Sequence, residues 1–419
     1  MRPCGWFALG LSEFVFGRPG AISFCCLAVK PYHASVAGSG RHYRISEHVL
    51  ITVTVTLLSL FLAVALAVSG QGSPAAVAHL AFAIGIVPLI FAAMIHFVPV
   101  LTRTGEPARW VGRLPWLAQA VGGLIVLSLQ GILPYHAVFA GALLAVLLTS
   151  TLLVWIVGRA RKCLGTPHPG WRWYVAALAL LLAALAAVLL MPLLPAQWAS
   201  WRLLHLHLNT LGLLGLAAFG TLPLLLPTAL GQADPQAAPW LSRKLWPWLA
   251  GVLLVAVGAA FYWPLAVAGS AILLAIVLGL PLHWWRHFGR QRLADGVATG
   301  LIAAVAGFSL SLVAGNLHAA GLLVARPALA VWAAGFLLPL VTSALAQLLP
   351  VWRWPGPKPP GRDAMRACLL VGAHWRAAAF LAAAVLILAG FNLLGAVLLC
   401  AALVGFGLQL LRALRIART

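Results

Sequence analysis

Apolar residues occur in blocks of about twenty, separated by short clusters of Arg, Lys, Gly and Pro, from residue 49 almost to the end of the chain. About twenty helical residues cover the roughly 30 Å hydrocarbon layer of a bilayer. Each block is therefore read as one membrane-spanning helix. The pattern predicts twelve spans, at 49–69, 76–101, 114–133, 136–158, 173–192, 200–228, 245–262, 264–283, 296–315, 327–350, 374–393 and 395–412. The expected fold is an all-α polytopic membrane protein with a twelve-helix domain over 48–418. Residues 1–47 contain apolar patches too short to cross and lack a clear cleavage site. They read as a cytoplasmic N-terminal segment or an over-extended start. The Pro- and Gly-rich stretch 352–366 reads as a stiff connector.

Composition agrees with this reading. Hydrophobic residues make up 63% and charged residues 8%, against about 25% charged in soluble domains. The net charge of +21 would suggest nucleic acid if it formed a patch, but it follows the topology. Of the 27 Lys and Arg, only Arg202 and Arg326 fall outside the two termini, the alternate connections and the span ends beside them. All six acids share the basic side. The positive-inside rule then places both termini in the cytoplasm, for a multi-pass protein of the plasma (inner) membrane. The basic excess signals topology and attracts anionic lipid, so no nucleic-acid partner is expected. The six cysteines offer no pair across an outer connection, so a disulfide framework is not expected.

An internal repeat is the most informative feature. Span 2 reads HLAFAIGIVPLIFAAMIHFVPVL from His79, span 6 reads HLNTLGLLGLAAFGTLPLLLPTA from His207, and span 10 reads ALAVWAAGFLLPLVTSALAQLLPVW from Ala330. Pro99, Pro227 and Pro350 close the three at the same offset, and Pro88 corresponds to Pro339. Each is four spans after the last. The expectation is three pseudo-repeated four-helix units, about 48–158, 172–283 and 296–412, around a pseudo-threefold axis.

No Asp, Glu, Lys or Arg is expected in mid-span, so histidine must carry any chemistry there. His79, His136, His205, His207 and His318 gather near the outer ends of their spans. His96, His283, His287 and His374 lie at inner ends. An interfacial histidine satisfied by water or a carbonyl is the ordinary reading for His136, His96, His283 and His287. His79 and His207 occupy equivalent repeat positions, and neutral imidazole is a good axial ligand to haem iron, so these two read as an axial pair. The small residues Ala81, Ala83, Gly85, Ala92 and Ala93 of span 2, and Gly212, Gly215, Ala217, Ala218 and Gly220 of span 6, suit a flat macrocycle or close helix packing. His205 lies about 200° around the helix from His207 and faces a neighbouring space. It could hold a second haem or a metal there, with His318 and His136 as available partners. Arg202 and Arg326 could pair with haem propionates or snorkel to lipid headgroups.

The run Leu204-His205-Leu206-His207-Leu208-Asn209-Thr210-Leu211-Gly212, followed by Phe219-Gly220 and Leu226-Pro227, resembles the His-x-His helix of haem-copper oxidase catalytic subunits. His79 on a Gly/Ala-rich second span resembles the single outer-end histidine of their second helix. The chain also resembles the NnrS family of haem- and copper-containing membrane proteins, associated with nitric oxide metabolism. The resemblance implies twelve helices in three arcs, non-covalent haem b in the outer half, a second haem or copper, nitric oxide or oxygen as a small-gas ligand, and an electron donor of unspecified identity. Departures narrow it. The His-x-His helix is the tenth in the oxidases and the sixth here. Span 10 has Ala330 at the ligand position, span 7 has no histidine, intramembrane carboxylates are lacking, and Val77 breaks the His-x-His that NnrS-like proteins carry on the second helix. The reading is an integral membrane haem-binding protein for electron transfer or gas-related chemistry; if an enzyme, it is a haem-dependent oxidoreductase. A secondary transporter, and a copper or haem carrier or assembly factor without catalysis, are the alternatives.

Overall fold

The computed structural model of the chain describes residues 39–354 and 359–416, the side chains of 39–48 and 325–327 excepted. The segment expected over 1–47 therefore lies outside the described residues as far as residue 38. Its last part is helical, because the first helix runs Ser39–Ser69. Among the described residues there is no strand, and twelve helical segments are long and apolar enough to cross a membrane. They are Val49–Ser69, Pro74–Thr102, Val111–Leu129, Ala137–Arg161, Gly170–Leu190, Pro195–Leu230, Ala237–Phe261, Trp263–Leu293, Gly296–Ala319, Ala328–Arg353, Pro360–Leu388 and Asn392–Leu414, numbered spans 1 to 12. Exposed apolar side chains such as Leu58, Leu147, Val154 and Leu393 form the surface that meets lipid.

Two boundaries differ from the sequence expectation. The second half of the expected 352–366 connector is helical: Pro360–Leu370 begins with proline in its first turn, where the missing N–H costs nothing. Gly372, with φ +70, turns this helix into Ala373–Leu388. The buried Arg376 donates to the carbonyls of Leu369 (3.2 Å) and Val371 (3.5 Å) at that turn. Span 8 continues past the expected residue 283 and carries Arg286, Arg290 and Arg292 on its extension, broken at Gly289 (φ 74, ψ 162).

Spans 2, 6 and 10 share a local feature that hydropathy does not reveal. Each contains a π-helical segment, at Leu80–Ile86, Leu208–Gly215 and Ala333–Leu337, beginning directly after His79, His207 and Trp332. In the first, the Val87 N–H reaches back five residues to the Phe82 carbonyl. A π turn holds more residues than an α turn and leaves carbonyls in need of other donors. Thr56 of span 1 donates to Gly85 O (2.9 Å), and Gln119 of span 3 reaches Ile84 O (3.5 Å). In span 6, Asn209 Nδ2 donates to His205 O at 2.7 Å.

Aromatic rings tie the core across spans. Trp240, Trp173, Trp248, Phe219, Phe308, Phe336, Trp332 and Phe82 follow one another with neighbouring centroids 4.5 to 5.7 Å apart. Aromatic pairs of this kind contribute about 0.5–1.5 kcal/mol each beyond burial. Spans 9 and 10 approach without side chains between them: a Cβ on Gly307 would run into the backbone of Gly335, inside the third π segment. Such small-residue contacts replace the hydrophobic drive that lipid removes. Span 6 is the most enclosed of the twelve: every residue of Leu211–Gly220 is buried, whereas span 12 is the least enclosed.

At the arginine-rich end, Asp295 caps span 9 by accepting from Val297 N (2.9 Å), and Arg366 donates to its carboxylate at 3.1 Å. An apolar cavity of about 110 Å³ lies among spans 2, 5, 6 and 10, bordered by Ile90, Met94, Leu225, Phe336 and Trp352. The Tyr174 and Thr221 hydroxyls on its wall bond to each other at 2.8 Å.

Candidate functional site

The site is built where the α segments of spans 2 and 6 give way to their π segments, near the end opposite the arginine-rich connections. His79 and His207 are the last α-helical residues before the change. His205 and His207, about 200° apart around one helix, look into different spaces.

Four histidines here share one hydrogen-bonding arrangement. Nδ1 donates to a backbone carbonyl in each: His79 to Ala75 O (2.7 Å), His205 to Ala184 O (3.0 Å), His207 to Leu203 O (2.8 Å) and His318 to Leu323 O (2.8 Å). A carbonyl only accepts, so Nδ1 bears the proton and Nε2 of the neutral ring bears a lone pair. That tautomer is the one metal-bound histidines usually adopt, with the second nitrogen held by a carbonyl or carboxylate.

The pairing differs from the one the repeat suggests. His79 lies against His205, ring centroids 6.1 Å apart and planes within 10° of parallel. His207 holds the Leu203 carbonyl and stacks on no other histidine among the described residues. The reason is geometric. His205 and His207 are about 200° apart around span 6, so only one of them can turn to His79, and it is His205. His79, His205 and His207 are half-buried and His318 is exposed.

The other expected residues are placed as follows. Arg202, exposed, stands one turn before His205 and makes no hydrogen bond or ion pair among the described residues. Arg326 belongs to the helix Ala325–Trp332, but its side chain lies outside the described residues. His136, exposed, precedes span 4 and does not join the His79–His205 pair. His96 packs edge-on against Trp352 at 5.7 Å, away from the site.

Of the small residues, Gly85, Gly212, Gly215 and Gly220 make close helix contacts, while Ala93, Ala217 and Ala218 line the apolar cavity. A Cβ at Gly85 would meet Ser59, at Gly212 Leu180, at Gly215 Trp248 and at Gly220 Trp173. Among the described residues no three His, Cys, Asp or Glu side chains converge as a metal-binding group.

Sequence reading passed over one cluster at the opposite end. His283 Nε2 donates to the almost wholly buried Asp234 carboxylate at 2.8 Å, and the His287 ring lies parallel to that of His283 at 5.9 Å. The i, i+4 spacing of these histidines was visible; their link to Asp234, beyond the end of span 6, was not.

No protein-family model and no curated protein matches the chain. The fold defines a polytopic helical membrane protein with twelve candidate spans.

Proposed function

We propose that the chain is a haem-binding membrane protein for electron transfer or for chemistry of nitric oxide or oxygen, in line with its resemblance to haem-copper oxidase catalytic subunits and NnrS-like proteins. The observation that carries the reading is the His79–His205 pair, two parallel imidazoles whose Nδ1 atoms are both held by carbonyls. His79 and His205 would hold the metal through Nε2, the nitrogen that each ring leaves unprotonated. The donor set suits haem b, whose macrocycle supplies four ligands and leaves two for protein. Bound there, it would supply one-electron transfer.

The chain's own residues do the rest. Ala75 and Ala184 fix the tautomer and aim of the two rings. Arg202 offers a cation to a propionate at the same end. His207 and His318, at the same end of their spans, could hold a second haem or copper. The apolar cavity among spans 2, 5, 6 and 10 has room for a small uncharged molecule. The arginine-rich end faces the cytoplasm of a cell whose plasma (inner) membrane holds the protein, by the positive-inside rule.

The test is a reduced-minus-oxidised absorption spectrum of the protein purified under ample haem supply, with and without carbon monoxide. A sharp low-spin band indifferent to carbon monoxide is expected from the His79–His205 pair. An added carbon monoxide-sensitive band would mark an open second site and favour gas chemistry. No haem at all would overturn the reading and favour a transporter or metal carrier.

A further inference from the structure

We propose that the arginine-rich end carries a binding site for a phosphate group, in the groove between the loop that follows span 2 and the end of span 4. The inference is independent of the histidine site and of any haem. The groove holds about 610 Å³, and three cationic side chains, Arg103, Arg159 and Lys162, line it with the Thr104 hydroxyl. Even with Glu106 of the same loop counted, the groove keeps two positive charges in excess.

The three cations are not equivalent. Arg159 is fixed, donating to Gly105 O (2.7 Å) and Glu106 O (2.8 Å) and lying 5.2 Å from the Trp155 ring centre. It pins the loop and forms the floor. Arg103 and Lys162 are exposed, and their side chains make no hydrogen bond or ion pair among the described residues. Arg103 is also the described non-glycine residue with positive φ, at 49°. Left-handed backbone at such a residue costs about 1–2 kcal/mol, and strain of this kind gathers at binding sites. Here it places a free guanidinium on the groove wall. Gly105 and Gly158 have open space where a Cβ would project, so a tetrahedral group could come close to the backbone.

The surroundings favour a phosphate attached to acyl chains. Val100 (70% exposed) precedes Arg103 by a turn, and Val154 (67% exposed) precedes Gly158 by a turn on the same helix face. The groove therefore opens onto an apolar surface along spans 2 and 4. Trp155 sits on the groove wall beside Arg159, and aromatic residues at span ends favour the headgroup region. Basic pockets at span ends hold anionic headgroups in this manner.

The test uses the full chain in nanodiscs containing phosphatidylglycerol or phosphatidylcholine, with bound lipid counted by native mass spectrometry after release into detergent. Phosphatidylglycerol should be retained over phosphatidylcholine. The double variant Arg103→Gln/Lys162→Gln should lower its affinity roughly ten- to thirty-fold. The charge-keeping Arg103→Lys/Lys162→Arg variant should retain most of it, which separates loss of charge from misfolding. Arg243→Gln/Lys244→Gln, an equal charge change at another basic connection, should leave it unchanged. Binding of inorganic phosphate to the delipidated protein, lost in the glutamine variant, would assign the same site to a soluble phosphate. Equal losses in both glutamine variants, or none in either, would overturn the proposal.

Discussion

His79 and His205 hold their rings parallel at 6.1 Å although they occupy non-equivalent positions in the two similar spans that carry them. This relationship separates the effects of neighbouring histidines. His205→Ala and His79→Ala should each lower haem affinity at least about ten-fold and remove the low-spin band. His207→Ala should leave that band in place and affect only a second centre. His96→Ala, remote from the site, should leave the spectrum unaltered. Optical spectra of the four purified variants decide the matter; loss in His207→Ala with retention in His205→Ala would restore the His79–His207 pairing.

The contact between Gly307 and Gly335 leaves no room for a methyl group. Gly307→Ala should force spans 9 and 10 apart, costing about 1–3 kcal/mol. Thermal unfolding in detergent should show a lower midpoint. Gly315→Ala, where a Cβ would meet open space on the same span, should show no comparable loss.

Asp295 combines two roles at the start of span 9. Asp295→Ala removes the cap, for about 0.5–2 kcal/mol, and the partner of Arg366, whose half-exposed pair adds at most a few tenths. Asp295→Asn keeps the capping oxygen and should recover most of the stability. The same unfolding measurement distinguishes them.

His168, in the connection between spans 4 and 5, accepts a hydrogen bond from Gly170 N (3.2 Å), and burial holds its pKa below the usual histidine value. A lowered folded pKa means that the neutral ring is favoured in the native state. Its contribution is complete above about pH 6.5, the unfolded value, and is lost as pH falls through the lower folded value. The unfolding midpoint should drop between pH 7.5 and 5, and His168→Asn should make that drop smaller.

The sequence makes the spans legible because a bilayer imposes one dominant rule, long apolar blocks bounded by charge, and residues 49–414 obey it. The helix Pro360–Leu370 escapes because its Pro and Gly read as breakers, although proline suits a helix start. The histidines at the span ends are legible from residue type and offset. Which ring meets which is not, because offset fixes depth in the membrane and leaves direction to the arrangement of whole helices. The π segments are equally hidden: nothing in LAFAIGI or AAGFL departs from ordinary helical composition, and the spare carbonyls of the first are answered by Thr56 and Gln119 from other spans.

The enclosure of span 6 begins just past its two histidines. Neighbouring helices seal Leu211–Gly220, whereas His205 and His207 stand half-buried at the rim of that sealed stretch. The interior of the span should therefore be the same in detergent, nanodisc and cell, while the two rings sit where a change of bilayer thickness or headgroup can still reach them.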